Sequence, residues 1–318
     1  MNMRVSITDV AKKAQVSIAT VSRVINQNDY VAPETRKIVE AAIKKTGYHL
    51  PQHHLANHTK NKIIEVILPS VTNPLYAKFY QEIERNLAAE NYSSLLKIDN
   101  DPTHTLEPYL TALKKGKIAG IITSSNLPIA DQNASNLLPI VSFDRHLNKV
   151  TVLKCNNLDG GYKIAQKVLS LGKKNILILS GNRADLYPLN DRLKGMLSVF
   201  NHYKVNVKTT YIDFESSMMV KKIQIAQIID SPKFDAICCT DDVTALLVKQ
   251  HTDEMNYHPL ITGFDGTDFI HSFFPELITV KQPIEDITKL MCEILIKKIH
   301  HPSKHFEPEY IFPVTLLD

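Results

Sequence analysis

The sequence predicts an α/β protein: a small all-α module at the N-terminus, then a core of parallel sheets covered by helices on both faces. Three observations carry this. Apolar residues recur at helical spacing through residues 6–46. From Lys62 onward, short near-continuous apolar runs alternate with amphipathic stretches, the pattern of buried parallel strands joined by helices. The charge is also divided unevenly: residues 1–60 carry nine Lys/Arg against four Asp/Glu, whereas the other 258 carry 28 against 29. A basic module on a near-neutral body is the footprint of a nucleic-acid reader. The alternative, a solubilising basic tail, has no need of helical periodicity.

In the first helix Ile7, Val10, Ala11 and Ala14 form one apolar stripe. A second starts near Ser17 and turns Val21, Val24 and Ile25 inward, leaving Ala19, Ser22, Arg23 and Asn26 outward. A third begins at Pro33, whose fixed φ suits the first helical position, with Glu34 at the positive end. Val39, Ala42 and Ile43 make its inner face, and Gly47 is placed to close it. Beyond the linker, strands are expected at 63–68, 94–98, 119–123, 139–143, 175–180, 236–240 and 260–264. Helices are expected at 76–90, 105–115, 159–171, 191–203, 217–230, 241–252 and 284–300. This many βα units fits a barrel or two open sheets. Polar residues cluster at strand ends in two groups, which favours two open, doubly wound sheets side by side.

No apolar run approaches the ~18 residues a membrane span needs. The first residues lack the apolar segment of a secretory signal. Cys155, Cys238, Cys239 and Cys292 have neither metal-like nor disulfide-framework spacing, and Cys238 and Cys239 read as core side chains. A cytoplasmic, reducing location is the expectation.

Residues 5–42, VSITDVAKKAQVSIATVSRVINQNDYVAPETRKIVEAA, contain the pattern TxxDVAxxAxVSxxTVSRVxN almost in full. They resemble the helix-turn-helix of the lactose-repressor family. The resemblance implies that the second helix lies in the major groove of operator DNA. Arg23 becomes the base reader, its fork suited to guanine O6 and N7. Ile18 and Ala19 stand at the other specificity positions and offer only apolar contact, for example to a thymine methyl. Ser17 caps the helix and touches phosphate. Thr8, Thr20, Ser22, Asn26, Tyr30 and Arg36 are implied phosphate contacts; for the hydroxyls, a local cap or a solvated surface is the alternative. Two positions depart from the family. Gln15 replaces a turn glycine, so the turn either avoids positive φ or carries strain. Ala32 replaces a serine cap before Pro33, at about 1 kcal/mol.

A hinge helix of the form Y-x-P-N-x-x-A-R-x-L follows in that family. Here residues 48–62 read YHLPQHHLANHTKNK. Tyr48 and Pro51 are recognisable, the Asn and the Ala-Arg pair are absent, and the link to the first strand is shorter. Leu55 is the candidate minor-groove wedge. His54 and His58 have the spacing of a helical metal pair, but a polar linker near phosphate is the preferred reading, and no metal or cofactor is expected.

The stretches IITSSNLPI, PIVSFDRHL, NDRLKG, CTDDVTALL, ITGFDGTDF and ITVKQPIEDITKLMCEILIKKI resemble the core of the same family and, through it, periplasmic sugar-binding proteins. The likeness is strongest to sucrose-operon repressors, with ribose-operon repressors next. Physically, Asp144, Arg145, Asp241, Asp242 and Asp265 each follow an expected strand, where open α/β sheets bind ligands. Carboxylates accept from paired sugar hydroxyls and an Arg fork donates to them. The resemblance implies Asp144, Arg192, Asp241 and Asp265 as effector ligands, with Asn73, Tyr76 and Arg145 secondary. Asp242 reads rather as a helix N-terminal carboxylate, Arg145 alternatively as a bridge between lobes, and Asp265 alternatively as a turn residue before Gly266.

The resulting map is a headpiece at 1–47, a hinge at 48–61 and a periplasmic-binding-protein-like core at 62–318. Its N-lobe is expected at 62–157 plus 284–303, its C-lobe at 158–280 plus 304–318. The implied function is a homodimeric operator-binding repressor released by a small sugar or sugar phosphate, of sucrose/fructose type first and ribose type second. A corepressor-dependent catabolite regulator is the alternative. A sugar-acting enzyme is remote; a glycosidase needs two carboxylates flanking a bond.

Overall fold

The computed structural model describes residues 6–26, 31–46, 48, 61–99, 101, 103–129, 138–181, 190–213, 216–231 and 233–318. Tyr30, Gly47, Leu55 and the His-rich linker lie outside the described residues, as does the side chain of Asn26.

The headpiece is α1 (Ile7–Ala14), α2 (Ile18–Asn26) and α3 (Pro33–Thr46). Ser6 opens α1 with a capping box: its hydroxyl accepts from Asp9 N, and the Asp9 carboxylate accepts from Ser6 N at 2.8 Å. Val10, Ala11, Ala14, Val21, Val24, Val39, Ala42 and Tyr48 close a core of their own. The turn between α1 and α2 has Gln15 at φ 53°, ψ 40°. It therefore takes the strained course of the two that a missing glycine allowed. A left-handed L-residue costs on the order of 1 kcal/mol, so Gln15→Gly is expected to stabilise the headpiece by about that amount. A calorimetric scan of the full chain with no upward shift in the headpiece transition would contradict this.

The core begins with β1 (Ile63–Leu68), α4 (Pro74–Ala89), β2 (Ser93–Ile98), α5 (Glu107–Lys114), β3 (Gly120–Thr123), β4 (Ile140–Phe143) and β5 (Thr151–Cys155). It continues with α6 (Asn157–Ser170), β6 (Asn175–Ser180), α7 (Asn190–His202), β7 (Asn206–Tyr211), α8 (Met218–Ile228), β8 (Ala236–Cys239), α9 (Asp242–Glu254) and β9 (Leu260–Thr262). It ends with α10 (Asp268–Phe273), β10 (Thr279–Lys281), α11 (Ile284–His300), β11 (Glu309–Phe312) and β12 (Thr315–Leu317). One sheet has six strands in the order β11-β5-β4-β3-β1-β2, another has four in the order β7-β6-β8-β9, and both are parallel throughout. β3, β4 and β8 are wholly buried, as strands covered by helices on both faces must be. No helix among the described residues is long and apolar enough to cross a membrane.

The expected lobe boundary near residue 304 needs correction. After α11, which packs on α4 in the first lobe, the chain stays there: β11 pairs in parallel with β5. The backbone groups of that edge decide it, since Val152 N donates to Pro308 O at 2.9 Å and Asn156 N to Phe312 O at 2.8 Å. Only then does the chain cross, and β12 pairs antiparallel with β10. The lobes are thus joined by three crossings, at 155–157, 281–284 and 312–315.

Candidate functional site

On the headpiece, Ser17 caps α2: its hydroxyl accepts from Thr20 N at 3.0 Å and lies 2.9 Å from Thr20 Oγ1. The helix presents Ile18, Ala19 and Arg23 to solvent, with Thr20 and Ser22 half-buried at its edges. Thr8 is exposed on the first turn of α1, and Arg36 is half-buried on the first turn of α3. Val21 and Val24 of α2 are consumed by the headpiece core, so the outer face with Ile18, Ala19 and Arg23 is the one left to meet a ligand.

In the core, a cavity of about 410 Å³ is lined by Ser70, Thr72, Asn73 and Tyr76, by Arg145, by Ser216, Ser217 and Lys221, and by Arg192, Asp241 and Asp265. That volume lies within the range of small-molecule sites. Six of the seven residues expected to bind an effector meet there. The seventh, Asp144, is not among the residues that line the cavity. It sits buried at φ 50°, and its Oδ1 accepts from Asn157 Nδ2 at 3.3 Å.

Arg192 organises the wall. It is 2% exposed. Its Nε donates to Asn157 Oδ1 at 2.8 Å, and its Nη1 donates to Thr240 O at 2.7 Å and to Asp265 Oδ1 at 3.1 Å. The guanidinium carbon lies 3.8 Å from the Phe264 ring centroid. Nη2 has no hydrogen-bond partner among the described residues. The start of α7 can approach this closely because α6 and α7 meet at glycines. A Cβ on Gly161 would lie 2.0 Å from Arg192 O, and one on Gly195 would lie 2.1 Å from Leu158 O.

Asp265 is held at φ 118°, a backbone state that an L-residue keeps only when its surroundings impose it. Its Oδ1 accepts from Gln282 Nε2 at 2.7 Å as well as from Arg192, while burial pushes its pKa up against the pull of that cation. Asp265 is therefore both the turn residue and a wall of the cleft. Asp241 caps α9 through Oδ1, which accepts from Thr244 N at 2.9 Å, and its Oδ2 has no partner among the described residues. Asp242 does stay out of the cleft. Its Oδ2 accepts from Gly266 N at 2.8 Å and its Oδ1 from Thr279 Oγ1 at 2.6 Å, so it pins the end of β8 to the turn carrying Asp265, and burial raises its pKa.

A continuous bond chain ties the cleft to two of the crossings. The Cys155 thiol donates to Gln282 Oε1 at 3.1 Å, Gln282 reaches Asp265, Asp265 meets Arg192, Arg192 meets Asn157, and Asn157 meets Asp144. Asn157 and Gln282 were not foreseen, because they follow strands that the sequence does not announce. Lys221, Ser216 and Ser217 were missed for want of any motif.

Residues 6–51 match the model of bacterial regulatory proteins of the lacI family, and residues 165–317 match a periplasmic binding protein-like domain. The sucrose operon repressor of Lactococcus lactis subsp. lactis is 32% identical to this chain over 98% of each. The chain belongs to the lacI family. A second relative in curated sequences, the ribose operon repressor of Halalkalibacterium halodurans, is 30% identical over 92% of this chain and 90% of its own. Among solved structures, a periplasmic binding protein/LacI transcriptional regulator from Alkaliphilus metalliredigens, complexed with D-xylulofuranose, superposes with a TM-score of 0.68 at 25% identity, covering 81% of this chain and 98% of that one. Family membership gives the two surfaces their sense: a lacI-family headpiece presents α2, and the lobed core holds the cleft.

Proposed function

We propose that this protein is a sequence-specific repressor of a carbohydrate-utilisation operon, leaving its operator when a sugar enters the cleft. The observation that carries the reading is the polar cleft at the strand ends. Arg192 Nη2 and Asp241 Oδ2 are buried there with no hydrogen-bond partner among the described residues, a donor and an acceptor of the kind that paired hydroxyls satisfy. The names of the two curated relatives support a sugar of sucrose/fructose type first and of ribose type second. Thr8, Ser17, Thr20, Ser22, Asn26, Tyr30 and Arg36 serve phosphates, Arg23 reads bases, and Ile18 and Ala19 supply apolar contact. Leu55 is the proposed wedge. The site acts by binding and catalyses no reaction, in the cytoplasm where operator DNA lies.

The working unit is a homodimer on a near-palindromic site. Exposed apolar faces support it: Met218, Met219, Val220 and Ile223 on α8, and Phe269 with Phe273 on α10. Effector closes one lobe on the other through the three crossings and spreads the headpieces. By linkage, DNA weakens sugar binding by the same factor that sugar weakens DNA binding. Selecting a site from random duplexes and titrating that complex with sugars tests this. The expected result is release by one sugar, with a stabilisation near 2.7 kcal/mol at a hundredfold excess over its dissociation constant. A selected site whose occupancy no sugar changes would remove the sensor half of the reading.

A further inference from the structure

The six-stranded sheet is parallel throughout, so the amino ends of its strands share one end of the N-lobe and the cleft lies at the other. The chain arrives from the headpiece at the amino end. Asn61 is tied down on arrival: its Nδ2 donates to Gly116 O at 3.3 Å and to Lys117 O, and its Oδ1 accepts from Ile63 N at 3.0 Å. Lys62 follows, its Nζ 5.8 Å from the centroid of the Tyr92 ring. The Tyr92 hydroxyl lies 3.3 Å from Nε2 of His300, the last residue of α11. The entry point, the turn before β3, the start of β2 and the end of α11 are thus one continuous surface.

That surface is basic. Lys62, Lys115, Lys117 and Lys304 are all exposed on it. Gly116, between two of them, has φ 67° and open space where a Cβ would stand, so the turn projects clear of the body. Lys115 also complements the carboxyl end of α5, and Lys304 Nζ lies 5.6 Å from the Phe306 ring centroid. Glu90 and Glu307 are the exposed carboxylates that flank these lysines in the chain, and they are fewer. Surface lysines elsewhere are matched: Lys163 by Asp159 at 2.7 Å, Lys233 by Asp230 at 3.0 Å and Lys249 by Asp253 at 3.2 Å.

The tether keeps this end beside bound DNA. Asn61 is 13 residues beyond Tyr48, which belongs to the headpiece core, and six beyond Leu55, the proposed wedge. At the reach of an extended chain, Leu55 in the minor groove leaves Asn61 at most about 20 Å from the duplex. Any less extended path brings the lysines nearer, toward the ~10 Å over which charges act at 0.1 M salt.

We infer that this end of the N-lobe is a second DNA-contacting surface, where Lys62, Lys115, Lys117 and Lys304 meet phosphates flanking the sequence that α2 reads. This rests on the operator-binding reading and adds to it a contact that holds the backbone and carries no sequence information. It lies at the opposite end of the lobe from the effector cleft.

Anisotropy titrations of the full chain against a salt series test it, on a selected and a scrambled duplex with long flanks. The variant Lys115→Gln/Lys117→Gln/Lys304→Gln leaves Lys62 at the linker joint untouched. Each phosphate contact contributes about 0.9 to the slope of log affinity against log salt. The variant is therefore expected to lower that slope by about 1 to 3, and to weaken both duplexes by the same factor. Lys115→Arg/Lys117→Arg/Lys304→Arg is expected to keep the slope. Lys174→Gln/Lys204→Gln/Lys208→Gln makes the same charge change on exposed lysines of the other lobe and is expected to leave it unaltered. A slope that the first variant does not change overturns the inference and leaves the repressor reading standing; a face reserved for an acidic protein would give that result. An equal fall in the C-lobe variant also overturns it, since net charge alone would then be the cause. A chain that binds neither duplex at low salt removes both readings. All three variants change exposed side chains, and thermal unfolding beside the parent chain confirms that each is folded.

Discussion

Arg23→Ala is expected to erase operator discrimination while leaving weak DNA binding in place. The argument starts from the surface of α2. Ile18 and Ala19 are apolar and offer bases only methyl-sized contact, and Thr20 and Ser22 are half-buried. Arg23 alone among the exposed residues of the helix carries a fork that can match a guanine edge. One such pair is worth about 1–3 kcal/mol, roughly a five- to 150-fold preference. Its loss therefore brings the selected site close to a scrambled one. Phosphate contacts persist, because they come from other residues, and with them the salt dependence of binding. Arg36→Ala is the matched control: it lowers affinity for all sequences and reduces the salt slope by about 1. Anisotropy titrations on selected and scrambled duplexes at two salt concentrations separate the two outcomes. Discrimination that survives Arg23→Ala assigns base reading to another residue. Arg23 is exposed and outside the headpiece core, so the variant folds and its DNA affinity is interpretable.

Where the sequence was readable, burial made it so. β1, β6 and β8 are apolar runs because helices cover both their faces, and they lie within a residue of where those runs place them. The three headpiece helices were legible for the complementary reason, a single apolar stripe on each. The strands that went unseen are the ones that lack such cover or such length. β7 is an edge strand of alternating exposure, β10 and β12 have three residues each, and β11 is an edge strand with Ile311 exposed. β5 interrupts its apolar run with Lys154, which reaches out to Glu309 at 2.7 Å. Missing β11 misplaced the lobe boundary. Missing β5 and β10 hid Asn157 and Gln282, which follow them directly. Asp241 and Asp265 could be read because their strands could. Lys221 could not, since α8 is apolar on its exposed side as well as its buried one, and periodicity then says nothing about which residue turns toward a cleft.

Arg192→Ala is expected to produce a second large effect, on response and on stability together. Removing the guanidinium leaves Asp265 Oδ1 with Gln282 alone and strips bonds from Asn157 Oδ1 and Thr240 O. Breaking one partner of a buried, hydrogen-bonded ion pair costs about 3–5 kcal/mol, a large share of the 5–15 kcal/mol typical of a folded domain. The pH dependence has a definite sign. Arg192 lowers the pKa of both Asp144 and Asp265, opposing the rise that burial causes. Without it those folded-state pKa values climb further above the unfolded value of about 3.9. A carboxyl with a raised folded pKa contributes stability below the unfolded value and loses it as pH rises toward the folded one. The deficit of Arg192→Ala is therefore expected to be smallest in acid and to widen toward neutral pH. Arg192→Lys restores the charge without the fork, so it should recover the pH profile while leaving sugar response impaired. Denaturant titrations of the three proteins across pH, run beside sugar release from operator, measure both halves. A deficit independent of pH would mean that the cation does not govern these carboxyls. Undiminished sugar release in Arg192→Ala would place the effector's polar contacts elsewhere in the cleft.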